Sequence, residues 1–226
     1  RRARPPARMA GLGMRPRSYA TGQRRVSSTI MRDAGIGRLL VASLHQAIGD
    51  ILPTRLTFYE SWLHAEGLRE GTIGLAPFYA VCSFLRQEGD AYNTITSRAG
   101  EYAAEWTVDS MAPYWRAVIK GSPGWLRMRL LLRIAKNLVR TSYQRSRPST
   151  RVKRGLARID VRESIFCTVR EPVKNPLCGF YAAAFNKLLA LFDLSDRVKV
   201  VACRGTGKPS CVLTMSMSND SRQVDS

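Results

Sequence analysis

The stretch from Asn175 to Met217 constrains this chain more than any other. Phe180, Ala184, Leu188 and Leu191 recur at helical spacing, with Tyr181, Phe185 and Phe192 beside them. The spacing predicts a largely buried helix that runs to Phe192. Asn175 is a good N-cap for it and Pro176 suits a first helical position. Beyond the helix, Val198, Val200 and Ala202 alternate with Arg197, Lys199 and Val201, which predicts a strand. Cys211, Leu213, Met215 and Met217 alternate with small polar residues and predict a second. Gly205, Gly207 and Pro209 supply the turn between them. Such a hairpin brings Cys203 and Cys211 close together, and the preceding helix can present Cys178 to both. Thiolates suit zinc, which makes Cys178, Cys203 and Cys211 candidate metal ligands. The alternative is three buried thiols that stabilise the hairpin by packing. Cys82 and Cys167 sit in apolar stretches and read as core.

Upstream, helical patterns dominate. Apolar residues at 36, 39, 40, 44, 48, 51 and 52 predict a helix ending before Pro53. Further helices are expected over Thr54–Glu66, Pro77–Glu88, Ala91–Val108, Pro113–Ile119 and Leu126–Tyr143. The last is strongly amphipathic. Leu130, Leu131, Ile134 and Leu138 make one side, and Arg129, Arg133, Lys136 and Arg140 the other. Ser146–Arg154 reads as a basic, Pro-containing linker, followed by short strands over Leu156–Val161 and Ser164–Arg170. The order is many helices, then β-β-α-β-β. This is an α+β pattern, with N-terminal helices packed on a small antiparallel sheet.

Charge divides the chain. Residues 1–32 hold nine Arg and no acid, and residues 110–159 hold thirteen Lys plus Arg and no acid. With a net charge of +19, everything else sums to −3. The expected organisation is a disordered basic tail over 1–32, a domain over 33–217 and a polar tail over 218–226. The basic segment points to an acidic surface, with Arg129, Arg133, Lys136 and Arg140 as membrane-surface candidates. A solvated helix face is the alternative. The aromatics fall in apolar stripes rather than alternating with Arg, which argues against nucleic acid. No apolar run approaches the roughly 20 residues of a membrane-spanning helix. An odd count of five cysteines without an export signal predicts reduced thiols in a cytoplasm.

Catalytic motifs are wanting. Gly205-Thr206-Gly207-Lys208 is not a phosphate loop, because position 202 is Ala, Pro209 follows the lysine and a strand comes next. No nucleophile–base pair or dinucleotide fingerprint is visible. His45, Tyr59, Trp62, His64, Phe78, Tyr79, Tyr92 and Trp106 are candidates to line a flat apolar pocket, or else an ordinary core.

Three motifs carry a resemblance: Asn-Pro-Leu-Cys at 175–178, Phe-Tyr-Ala-Ala-Ala-Phe at 180–185 and Cys-Arg-Gly-Thr-Gly-Lys-Pro-Ser-Cys at 203–211. Together they resemble the 4-vinyl reductase domain, and most closely the bacteriochlorophyll 4-vinyl reductase family. Gly37–Leu52 is similar to that family's opening helix, and Pro123–Leu126 with Leu130–Tyr143 to its central helix. The resemblance covers residues 33–217. It implies a fold shared with vesicle-tethering TRAPP subunits and phenol-sensing domains, often dimeric and enclosing an apolar ligand cavity. It also implies a structural zinc whose fourth ligand is a Glu three positions before the first hairpin cysteine. Here Val200 stands at that position, which leaves Glu163, Glu171 or an outside ligand. The implied function is a tetrapyrrole-binding accessory protein of bacteriochlorophyll biosynthesis, holding a chlorophyllide-type ligand at the 4-vinyl reduction stage and meeting pigment-biosynthesis enzymes. One alternative is the reductase itself; the other is an apolar-ligand sensor or scaffold domain. The expected location is the cytoplasm, peripheral on the inner face of the cell membrane, with a homodimer as the oligomeric form.

Overall fold

Leu52 shows how local chemistry places the element ends. It precedes Pro53, which disfavours helical backbone, and it sits at φ −126° and ψ 57°, closing helix α1 (Arg38–Ile51). A computed structural model describes residues 35–63, 74–153, 155–195 and 197–216. The two expected tails, His64 and the end of the second expected helix lie outside the described residues. Helices α2 (Leu56–Leu63), α3 (Leu75–Gln87), α4 (Asp90–Asp109), α5 (Pro113–Gly121) and α6 (Gly124–Ser142) follow. Pro113 opens α5, where its missing N–H costs nothing. Strands β1 (Arg147–Lys153) and β2 (Leu156–Arg162), helix α7 (Gly179–Leu191), and strands β3 (Val198–Ala202) and β4 (Cys211–Ser216) complete the order.

The four strands form one antiparallel sheet in the order β1-β2-β4-β3. Ala157, Ile159 and Val161 of β2 pair with Met215, Leu213 and Cys211 of β4, and all six are buried. That face packs toward the helices, as an alternating strand with one wet face requires. Helix α4 is the central helix, between α1 and α7. Gly100 lets α4 and α7 approach: a Cβ there would lie 2.2 Å from the Phe180 carbonyl oxygen. Asn186 accepts the Val198 amide at 2.8 Å and so ties α7 to β3.

The α+β class and the β-β-α-β-β order stand as expected, but the first two strands shift. Ser146–Arg154 is no linker; most of it is the edge strand β1. Its Pro148 is tolerated because an edge strand has one unpaired side. Ser164–Arg170 is no strand. Ile165–Cys167 forms a 3-10 turn in which the Ser164 carbonyl accepts the Cys167 amide at 3.2 Å. Three consecutive buried residues cannot alternate across a sheet; Phe166 instead stacks on Phe180, with ring centroids 4.8 Å apart. Helix α7 starts at Gly179, not at Pro176, because the Leu177 amide is drawn to Cys203 Sγ at 3.3 Å. The apolar side of α6 belongs to the core: Leu131 and Leu138 are buried, and Leu130 and Ile134 pack against them.

Candidate metal centre

Cys203 and Cys211 flank the β3–β4 turn, and an irregularity in β3 puts them on one face. Val200 pairs with Leu213, but Ala202 pairs with Val212, so two residues of β3 are spent against one of β4. Such a bulge inverts the alternation that follows it. Cys203 therefore falls on the side of Cys211 instead of the opposite side. Val201, the extra residue, is 63% exposed. Beyond Cys203 the chain makes a 3-10 turn closed by Gly207 at φ 83°, a left-handed conformation that favours glycine.

Two further cysteines complete the group. Cys178 caps α7, and Cys167 ends the 3-10 turn before it. The Sγ atoms of Cys167, Cys178, Cys203 and Cys211 all lie within 4.8 Å of one another. Cys167 is 3.4 Å from Cys211, 3.5 Å from Cys203 and 3.8 Å from Cys178. All four are free thiols, and none is more than 2% exposed. Cys82, the fifth cysteine, is buried elsewhere, and burial pushes its thiol up to about 12.

The donor set fits a metal ion. Four thiolates about 2.3 Å from a tetrahedral zinc have S···S edges of roughly 3.8 Å, close to the separations here. The Leu177 amide donates to Cys203 Sγ at 3.3 Å and the Arg204 amide to Cys211 Sγ at 3.4 Å. Such outer hydrogen bonds orient ligands and stabilise thiolates. Cys203 is held far below the usual thiol range, chiefly by hydrogen bonds from Cys167 and Cys178. Cys211 is lowered by the same two neighbours. Cys178 is pushed up by its contacts with the other three sulfurs. At Cys167 the bond with Cys178 favours the thiolate, but Cys203, Cys211 and burial outweigh it and raise the group.

The expected trio is brought together, and its fourth member is Cys167. This corrects the reading of Cys167 as ordinary core and of Glu163, Glu171 or an outside ligand as the missing donor. Cys167 follows Ile165 and Phe166, so its local pattern is that of a core residue. A usable signal did exist: four of the five cysteines fall between 167 and 211.

The candidate pocket residues do not converge. Tyr59, Phe78 and Tyr92 are buried among other core side chains, with Phe78 edge-on to Phe166 at 6.1 Å. The Tyr59 hydroxyl donates to Glu88 at 3.1 Å. Trp62 is 37% exposed, Trp106 stacks on Tyr102, and His45 pairs with Glu60 at 2.8 Å on the surface. Tyr79 lines a cleft of about 630 Å³ between α3 and residues Thr168–Arg170; the other described candidates do not. Arg129, Arg133 and Arg140 project from α6 into solvent, Lys136 is half-buried, and none of the four forms an ion pair among the described residues. No described helix is long and apolar enough to cross a membrane.

Comparison with solved structures gives distant likenesses only. The chain is similar to the crystal structure of the phenol-responsive sensory domain of the transcription activator PoxR with phenol. The TM-score is 0.42 and the identity 15%, over 61% of this chain and 72% of that one. No family model and no curated protein matches the chain. The resemblance to 4-vinyl reductases therefore gains no family match, and neither does its link to bacteriochlorophyll.

Proposed function

We propose that the protein is a small-molecule-binding domain of sensor or scaffold type, built around a structural zinc held by Cys167, Cys178, Cys203 and Cys211. The mutual distance of the four sulfurs supports the metal part of this reading, and the cleft lined by Tyr79, Arg86 and Thr168–Arg170 the small-molecule part. A full set of four protein thiolates leaves no coordination position for water or substrate, which is the donor pattern of a structural centre. In that role the ion would join three separate pieces of chain: the 3-10 turn before α7, the start of α7, and the β3–β4 turn. The cleft beside Thr168–Arg170 begins where Cys167 ends, so the centre would also fix one wall of the binding site. Metal analysis of protein purified under reducing conditions should find one zinc per chain, and cobalt substitution should give the absorption of a tetrahedral thiolate complex. A chain that takes up no zinc when it is offered, and loses no stability on Cys203→Ser, would sink the metal centre.

A second reading is favoured by a specific surface. Tyr114, Trp115 and Val118 share one face of α5 and are 62%, 49% and 50% exposed; Trp125, at the start of α6, is 56% exposed. Arg129 lies over the Trp125 ring at 5.4 Å. Exposed Trp and Tyr beside unpaired arginines suit the interface of an anionic bilayer. Each basic residue near such a surface contributes about 1 kcal/mol, screened by salt. The apolar anchor is then α5 and Trp125, while α6 contributes charge alone. Vesicles with anionic lipid should sediment the protein at low salt, and replacing Trp115 and Trp125 by Ala should weaken this about tenfold. Equal recovery on neutral and anionic vesicles would remove the membrane reading.

A further inference from the structure

Arg86 is half-buried, and one arm of its guanidinium has no partner among the described residues. Its Nη1 atom is shielded from solvent and makes no hydrogen bond. The residue forms no ion pair among the described residues. The nearest acid in sequence, Glu88, is already engaged by Arg55 and the Tyr59 hydroxyl. A shielded guanidinium N–H without an acceptor is costly, so such groups are normally paired.

Arg86 lines the 630 Å³ cleft introduced above. Tyr79, Ser83 and Arg86 recur on α3 at spacings of four and three, which puts them on one helix face. Facing them are Thr168 and Arg170, on the segment that leaves Cys167. Among the described residues the lining therefore holds two guanidinium groups, the hydroxyls of Ser83, Thr168 and Tyr79, one aromatic ring, and no carboxylate. A smaller cleft of about 140 Å³ shares Thr168 and Arg170 and adds Arg204, again with no acid among the described residues of its lining. The larger volume suits a ligand of modest size.

From this we infer that the cleft binds a small organic oxyanion with an apolar body, a carboxylate or a phosphate ester. The planar fork of Arg86 matches two oxygens of such a group, as a lysine would not. Arg170 supplies a second positive charge from the opposite wall. Ser83 and Thr168 offer hydroxyls to a remaining oxygen, and Tyr79 with Val169 flanks the apolar part. This rests on the small-molecule reading above and names its ligand class.

Calorimetry on the full, metal-loaded chain tests it, with benzoate, phenyl phosphate, inorganic phosphate and the neutral isostere benzamide as probes. Zinc content and circular dichroism are measured on the same samples, so loss of the metal centre is seen separately. Benzoate or phenyl phosphate should bind at least tenfold more tightly than benzamide, with the preference between them identifying the oxyanion. Arg86→Gln should lose about tenfold in anion affinity and leave benzamide unchanged; Arg86→Lys should recover only part. Arg170→Gln, at an exposed position, should weaken anions severalfold in a protein of unaltered fold. Benzamide bound as tightly as benzoate would overturn the oxyanion and leave the small-molecule reading standing. Anion affinity unmoved by both Gln substitutions would overturn the site. Binding of none of the four probes would overturn the site and the small-molecule reading together, whatever the zinc content.

Discussion

Cys167 and Cys82 are both buried cysteines, yet their surroundings differ. Cys167 has three sulfurs within 3.8 Å, whereas Cys82 lies outside the cluster. Serine is nearly isosteric with cysteine but a poor ligand for zinc. Cys167→Ser should therefore weaken zinc retention as severely as Cys203→Ser does. A loss greater than the roughly 10–100-fold typical of outer partners is expected. Cys82→Ser should leave the metal content at its wild-type value and cost about 1–3 kcal/mol, for burying a hydroxyl without a partner. Competition with a zinc chelator, read beside a denaturant curve for each variant, separates the two. Val200 gives a sharper check. With Cys167 as fourth ligand, Val200→Glu has no vacancy to fill; since Val200 packs against the core, that change should lower stability and not tighten zinc.

At the scale of elements, two contacts hold α4 in place. The first is its approach to α7 at Gly100. A methyl group there meets the backbone of Phe180 at 2.2 Å, and a backbone atom cannot swing aside as a side chain can. Gly100→Ala should destabilise by about 1–3 kcal/mol despite the better helix propensity of alanine. Thermal melts of the pair measure this directly. The second contact joins α4 to α1, where the Tyr102 hydroxyl donates to Asp50. Asp50 is held below its ordinary value, first by that bond, then by Gln46 and Arg98. A lowered carboxyl stabilises the fold above its unfolded pKa, near 3.8, and loses that contribution as pH falls through the folded value. The stability gap between wild type and Asp50→Asn should accordingly be constant near neutrality and close in acid, below about pH 3.8. A gap that widened with acid would contradict the sign.

On the scale of the whole molecule, the proposed metal centre would be one staple on a domain with a substantial core of its own. That core runs from Ile36 through α1, α3, α4, α6 and α7 to Met215. Small zinc domains unfold without their ion because little else holds them. Here the helices should survive, and the loss should fall on the turns around Cys167 and Cys203. Chelation under reducing conditions should lower the melting temperature by about 10 °C, corresponding to roughly 3–4 kcal/mol for a domain of this size. Far-ultraviolet circular dichroism at room temperature should change little. Hydrogen exchange should locate the loosening in residues 165–178 and 203–211. Global unfolding on chelation would show that the core is weaker than its burial implies.

The sequence by itself determined the helices, the β3–β4 hairpin and three of the four sulfur donors. Each of these rests on a period or a turn that is local: the spacing of Phe180, Ala184 and Leu188, the alternation around Leu213, and the glycines at 205 and 207. Tertiary structure alone decided the rest. Cys167 joins Cys203 and Cys211 across 36 and 44 residues, and no local pattern carries that distance. The bulge that turns Cys203 inward depends on its pairing with β4, which alternation cannot reveal. β1 looked like a linker because an edge strand needs neither an apolar face nor an unbroken row of donors. The aromatics of the helical half read equally as pocket or core, since a helical stripe is apolar in either case; packing placed Tyr59, Phe78 and Tyr92 in the core and left Tyr79 at a cleft. Arg86 carried no signal at all, because an arginine near a helix end is ordinary until the fold shields one arm of it without an acceptor.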